Sequence, residues 1–146
     1  MSRISTYFMF NGNCREAMAF YQECFGGELR LQTVGESPLA DGLPEQMKGF
    51  ILHASLRSGN LVLMGTDMVG EQGLVKGNAV STLIDCSNEE ELRACYDQLS
   101  RDGLATHPVK NTFWGALFGE LTDRYGNHWL LNYTIKKPTI MTTQKI

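Results

Sequence analysis

The chain repeats one plan twice, and this repeat narrows the possible folds more than any single motif does. In the first half a helix carries apolar residues at Ala17, Phe20, Tyr21 and Cys24, the i, i+3, i+4, i+7 spacing of one buried face. The second half repeats the stripe as Leu92, Cys95, Tyr96 and Leu99. From residue 20 to residue 95 the offset is 75, which aligns Phe20-Tyr21 with Cys95-Tyr96. Asn13-Cys14-Arg15-Glu16 reads as a capping box opening the first helix, and Gly26-Gly27 stops it. Ser87-Asn88-Glu89-Glu90 and Gly103 play the same parts in the second half. One extended segment precedes each helix, at 4–10 and at 79–85. Three follow it: 28–34, 50–57 and 61–66 in the first half, then 104–110, 112–122 and 128–135 in the second. The order βαβββ occurs twice, which predicts an α+β protein of two modules, 1–70 and 71–137, with a polar, aperiodic tail at 138–146.

Two glycine-rich stretches punctuate this plan. Residues 35–49 hold Pro38, Pro44 and three glycines, too long for a simple hairpin turn, and read as a lid or a mobile connection. Residues 67–78, with Gly70, Gly73 and Gly77, join the modules.

Charge and composition exclude several partners. A net charge of -3 leaves no basic surplus to neutralise phosphates, so nucleic acid is not expected. No apolar run approaches the roughly 18 residues needed to span a membrane, and the N-terminus lacks a secretory h-region. A cytoplasmic protein without a membrane partner is the expectation. The cysteines at 14, 24, 86 and 95 form no CxxC pair, and Cys24 and Cys95 fall on helix stripes as small buried hydrophobes. No GxSxG elbow, Walker A loop or GxGxxG turn after a strand is present.

Strand alternation nominates the side chains of a small-molecule pocket. In 50–57, Phe50, Leu52, Ala54 and Leu56 share an apolar face, and His53 and Ser55 lie opposite. In 112–122, Phe113, Leu117 and Leu121 oppose Trp114, Phe118, Glu120 and Thr122; in 128–135, Trp129, Leu131 and Tyr133 oppose His128, Leu130 and Asn132. The candidate ligand-binding residues are Thr6, Phe8, Trp114, Phe118, His128 and Asn132, with His53 and Glu120 as candidate catalytic acid and base. Alternatives weigh against the last two: a structural histidine for His53, and a solvated face or dimer interface for Glu120. His107, before Pro108, reads as an exposed edge residue.

Three stretches carry a family resemblance. Phe113-Trp114-Gly115, Gly119 and Asp123-Arg124-Tyr125-Gly126-Asn127-His128-Trp129 form the first, and His53-Ala54, Gly59 and Leu61-Val62-Leu63-Met64 the second. The third is Phe10-Asn11-Gly12-Asn13-Cys14, Ala17, Phe20-Tyr21 and Phe25-Gly26-Gly27. Together they resemble the PhnB-like branch of the vicinal oxygen chelate superfamily, the fold of glyoxalases, bleomycin-resistance proteins and extradiol dioxygenases, over residues 4–135. The resemblance implies paired βαβββ modules forming a curved eight-stranded sheet around a cavity, helices outside, commonly in a homodimer.

Metal-dependent members of that superfamily hold one divalent ion with His, Gln or Glu from the first and fourth strands of each module. Carried onto this chain, those positions fall on Thr6, Met64, Ala79 or Ser81, and Leu130, none of them a good ligand. No metal site and no cofactor are expected on this ground, with a divalent ion held by other residues left open. Proteins of this likeness are sometimes labelled ubiquinone-pathway methyltransferases, yet the chain has no Gly-rich strand–loop–helix cradle for a nucleotide-type methyl donor. Two functions follow as expectations. One is metal-free binding of a small molecule in the cavity between the modules, with Phe8, Trp114 and Phe118 as stacking surfaces. The other is a glyoxalase-type isomerase or lyase that uses acid–base residues or a metal.

Overall fold

The structure, a computed structural model, describes residues 2–70 and 72–135, so the tail expected at 138–146 lies outside it. Two compact units, Met1–Lys76 and Gly77–Ile146, divide within the expected connecting stretch. The first runs β1 (Thr6–Met9), α1 (Cys14–Phe25), β2 (Glu28–Thr33), β3 (Ile51–Ser58) and β4 (Leu61–Thr66). The second runs β5 (Thr82–Asp85), α2 (Glu89–Leu99), β6 (Leu104–Asn111), β7 (Ala116–Thr122) and β8 (His128–Thr134). Each unit holds one four-stranded mixed sheet, in the order β1-β4-β3-β2 or β5-β8-β7-β6. The first strand of each unit pairs in parallel with the last, and the other pairs are antiparallel.

One glycine seats each helix on its sheet in both repeats. A Cβ on Gly27, just after α1, would collide with the Arg57 carbonyl near the end of β3. A Cβ on Gly103, after α2, would collide with the Thr122 carbonyl at the end of β7. Gly27 also has φ +94, a backbone that L side chains rarely adopt. The glycines read as helix stops therefore also let the chain pass close against the third strand of each module.

Helix-facing glycines show which side of each sheet is core. A Cβ on Gly65 in β4 would meet Phe10, Cys14 and Met18, and one on Gly119 in β7 would press on Tyr96 at 2.9 Å. Around them lie the buried Ala17, Tyr21, Ala54, Leu56 and Leu63 in one unit, and Leu92, Leu99, Leu121, Trp129 and Leu131 in the other. Burial of these side chains, each worth about 1.5–3 kcal/mol when a large aliphatic or aromatic leaves water, holds helix to sheet.

Three local expectations are corrected. Asn13 makes no side-chain capping bond; Asp67, following β4, accepts from Gly12 N and Cys14 N through Oδ1 and from Ile51 N through Oδ2, all at 2.8–2.9 Å. A carboxylate from the end of the neighbouring strand thus takes up one orphan donor of the helix start, Cys14 N, and ties it to the loop before it. In the second unit the cap is Asn88, accepting from Glu91 N, while Glu91 accepts from Ser87 N, one residue later than the Ser87–Glu90 spacing suggests. Strand seven begins at Ala116, because Thr112 closes a turn by donating to and accepting from Ala116. Phe113 and Trp114 therefore sit in the β6–β7 turn and not on a strand face.

A shift of register between β2 and β3 revises one more alternation. Gln32 pairs with His53 but Thr33 with Ile51, so Leu52 is an extra residue in β3. Ile51 is buried with Ala54 and Leu56, and the alternation expected from Phe50 onward holds only from His53. Residues 35–49 fold into the short 3₁₀ turns Pro38–Gly42 and Glu45–Met47, with Gly35 N donating to Lys48 O.

Candidate functional site

Each sheet has a second face, turned away from its own helix, and the register assigns its side chains. On the first sheet Tyr7 pairs with Met64, Met64 with Ser55, and Ser55 with Arg30, while His53 pairs with Gln32. Paired residues share a face. The Tyr7 hydroxyl and His53 Nδ1 stand 3.3 Å apart, with their rings 5.8 Å apart across β4. Tyr7, missed by sequence reasoning, is the partner of His53.

Thr6 and Phe8 lie on the other side of this sheet. Phe8 packs against Tyr21 of α1 at 5.5 Å and against Phe10 at 6.0 Å. It belongs to the helix–sheet core and shares no face with His53. Phe10 continues the alternation past the strand and is buried, so Thr6, Phe8 and Phe10 turn toward the helix and Tyr7 away from it.

The second sheet does bring the nominated residues together. Phe118 pairs with Asn132, Glu120 with Leu130, and Thr122 with His128, so Phe118, Glu120, His128 and Asn132 share its helix-free face. Leu83 and Asp85 join them from β5. Trp114, from the turn, meets Phe118 edge-on at 6.4 Å and Phe113 at 4.9 Å.

Their hydrogen bonds sort these residues by availability. His128 Nε2 faces the Gly77 carbonyl at 3.0 Å, which can only accept, so Nε2 carries the proton. Nδ1 lies 2.9 Å from the Thr122 hydroxyl, so both ring nitrogens are engaged. Asn132 donates to Asp85 at 3.0 Å. Glu120 lies 3.0 Å from His107 Nδ1, its cross-strand neighbour on β6. Tyr96 of α2 donates to the backbone carbonyls of Glu120 and His107, and burial, reinforced by the Glu120 carboxylate, pushes its phenol up. Glu120 and His53 thus belong to different units, and each finds a partner within its own.

The paired first and fourth strands give the register for the superfamily's metal positions. On the helix-free faces those pairs are Tyr7 with Met64 and Leu83 with Leu130, in place of the Thr6 and Ala79 or Ser81 reached from sequence alone. A phenol, a thioether and two isobutyl groups do not fit a hard or borderline divalent ion, which takes carboxylate, carbonyl or imidazole donors. Among the described residues no group of three or more His, Cys, Asp and Glu is placed to hold a metal ion.

Two mixed sheets with the strand order 1-4-3-2, each backed by a helix from a βαβββ repeat, define a protein of the vicinal oxygen chelate class. A glyoxalase/bleomycin resistance protein/dioxygenase family enzyme from Burkholderia phytofirmans PsJN shares this fold at 13% identity, with a TM-score of 0.60 over 88% of this chain and 97% of that one. Within the class, the family model described as 3-demethylubiquinone-9 3-methyltransferase matches residues 2–132, and the chain belongs to that family. It is 30% identical to protein YjdN of Escherichia coli K12, covering 93% of this chain and 98% of that one. The crystal structure of PA1353 from Pseudomonas aeruginosa is similar at 34% identity and TM-score 0.78, over 91% and 98% of the two chains. The PhnB protein from Bacillus cereus is similar at 25% identity and TM-score 0.71, over 90% and 99%. In the described residues no helix is long and apolar enough to cross a membrane.

Proposed function

We propose that this chain binds a small molecule without a metal, using the helix-free faces of its sheets, the surfaces that would line the cavity expected of the fold. The observation that carries the reading is the side-chain set Tyr7/Met64 and Leu83/Leu130 at the superfamily's metal positions. Aromatic and apolar groups with a few polar ones are the composition of a ligand surface. Of the residues expected to contact ligand, Trp114, Phe118, His128 and Asn132 remain in the proposal, joined by Tyr7 and His53. His128 serves mainly to order that face, since both its ring nitrogens are already engaged, and the Asn132 amide nitrogen is held by Asp85.

Methyl transfer, which the family description names, is not part of this reading, because the sequence lacks a cradle for a nucleotide-type donor. A glyoxalase-type isomerase or lyase is the second reading, favoured by the Tyr7–His53 contact as an acid–base pair. The working form is proposed to be a homodimer, which light scattering on the purified protein tests. Metal analysis of protein prepared without chelators tests the main reading: it predicts no stoichiometric divalent ion and a small molecule retained through gel filtration. One tightly held divalent ion per chain would overturn it.

A further inference from the structure

The helix-free face of the first sheet carries a cluster of hydrogen-bond donors around Ser55. Ser55 pairs with Arg30 on one side and with Met64 on the other, and Met64 pairs with Tyr7. His53 lies two residues along β3 on the same face. Arg30 and His53 are diagonal neighbours on adjacent strands, about 7–8 Å apart and within reach of the Arg30 side chain. Among the described residues neither Ser55 Oγ nor His53 Nε2 has a hydrogen-bond partner. Among the described residues Arg30 pairs with Glu28, at 3.4 Å with its side chain 75% exposed, an ion pair weak enough to yield to a ligand.

We infer that this face is a binding site for a small organic carboxylate, with Ser55, Arg30 and Nε2–H of His53 supplying donors. The inference rests on the small-molecule reading above and names the ligand class for the first unit. Its charge favours an anion: Arg30 and Arg57 stand against Glu28, with neither acid nor base from Val62 and Met64 of β4. Met64 and the Tyr7 ring supply apolar surface for the ligand's body.

The Tyr7–His53 contact orients the imidazole for such binding. With Nδ1 accepting from the Tyr7 hydroxyl, Nε2–H of His53 is left to donate to the anion.

Titration of the full-length protein with benzoate, followed by calorimetry and by NMR of the His53 ring, tests this site. Benzoate binds saturably and more tightly than neutral benzamide. Arg30→Gln weakens it about tenfold, and His53→Ala weakens it as well. Should His53→Ala fail to fold, the exposed Arg30→Gln still decides. No saturable binding, equal affinity for benzamide, or an affinity unmoved by Arg30→Gln overturns the carboxylate site. Failure of the broader reading looks different, namely a tightly held metal ion in the protein as purified.

Discussion

The indole of Trp129 donates through Nε1 to Asp123 Oδ2 at 2.8 Å, and both residues are buried. The other carboxylate oxygen accepts from Tyr125 N at 2.8 Å and Asn127 N at 3.0 Å, so one side chain closes the β7–β8 turn and anchors the largest core residue. Asp123→Ala leaves these donors without their acceptor inside the protein. A charged hydrogen bond contributes about 1.5–3 kcal/mol, so we expect a loss of about 3 kcal/mol or more, read as a lower midpoint in urea. Unchanged stability would refute this role.

Gly27→Ala and Gly103→Ala are predicted to destabilise in parallel, because each Cβ meets a backbone carbonyl in the equivalent strand of its own repeat. Overpacking alone costs about 1–3 kcal/mol, and Gly27 adds the strain of its positive φ. Gly42→Ala, where a Cβ meets open space, is the control. Thermal unfolding should rank the control above both.

Burial pushes the thiols of Cys14 and Cys86 up to about 12, with the carboxylate of Asp67 adding to the shift at Cys14 and the neighbouring Cys95 at Cys86. Because the folded state holds these protons more tightly than the unfolded chain does, the stabilisation is complete below the ordinary thiol range. It is lost as pH rises from about 9 toward 12. Native protein at neutral pH should therefore react with a thiol reagent chiefly at Cys24, the cysteine that is not buried, and at all four after denaturation. Rapid native labelling of Cys14 would contradict this placement.

The two tryptophans differ sharply in environment: Trp129 is fully buried and Trp114 is 58% exposed at the β6–β7 turn beside Phe113, itself 96% exposed. In Trp114→Phe the remaining emission should be blue-shifted and nearly inaccessible to acrylamide. In Trp129→Phe it should be red-shifted and readily quenched. If Trp114 belongs to the ligand surface, a bound ligand would protect it in the second variant. Quenching alike in both variants would contradict the placement.

Much of this fold is legible from local physics. The helix stripes, the glycine stops and the doubled βαβββ order depend on neighbours a few residues apart, and each reappears in the fold with small changes at the ends. The departures occur where a distant residue decides. Asn13 is passed over as a cap because Asp67 reaches Cys14 N from the end of β4. Phe113 and Trp114 leave strand seven because Thr112 bonds to Ala116 across a turn.

The candidate site divides in the same way. Alternation alone places Phe118, Glu120, His128 and Asn132 on one face, since a run of unbroken strand keeps its period. It does not choose which face of β1 meets the helix, because Thr6-Tyr7-Phe8-Met9 offers a plausible side chain to either. The parallel pairing of Tyr7 with Met64 and the packing of Phe8 on Tyr21 make that choice. The repeat and the element types are written in the order of residues along the chain, while which residues stand at the superfamily's metal positions waits on the pairing of the first and fourth strands. Which side chains meet is settled by folding, which pairs His53 with Tyr7 and Glu120 with His107. Such contacts depend on strand register, which hydrogen bonds between distant segments set and no local pattern encodes.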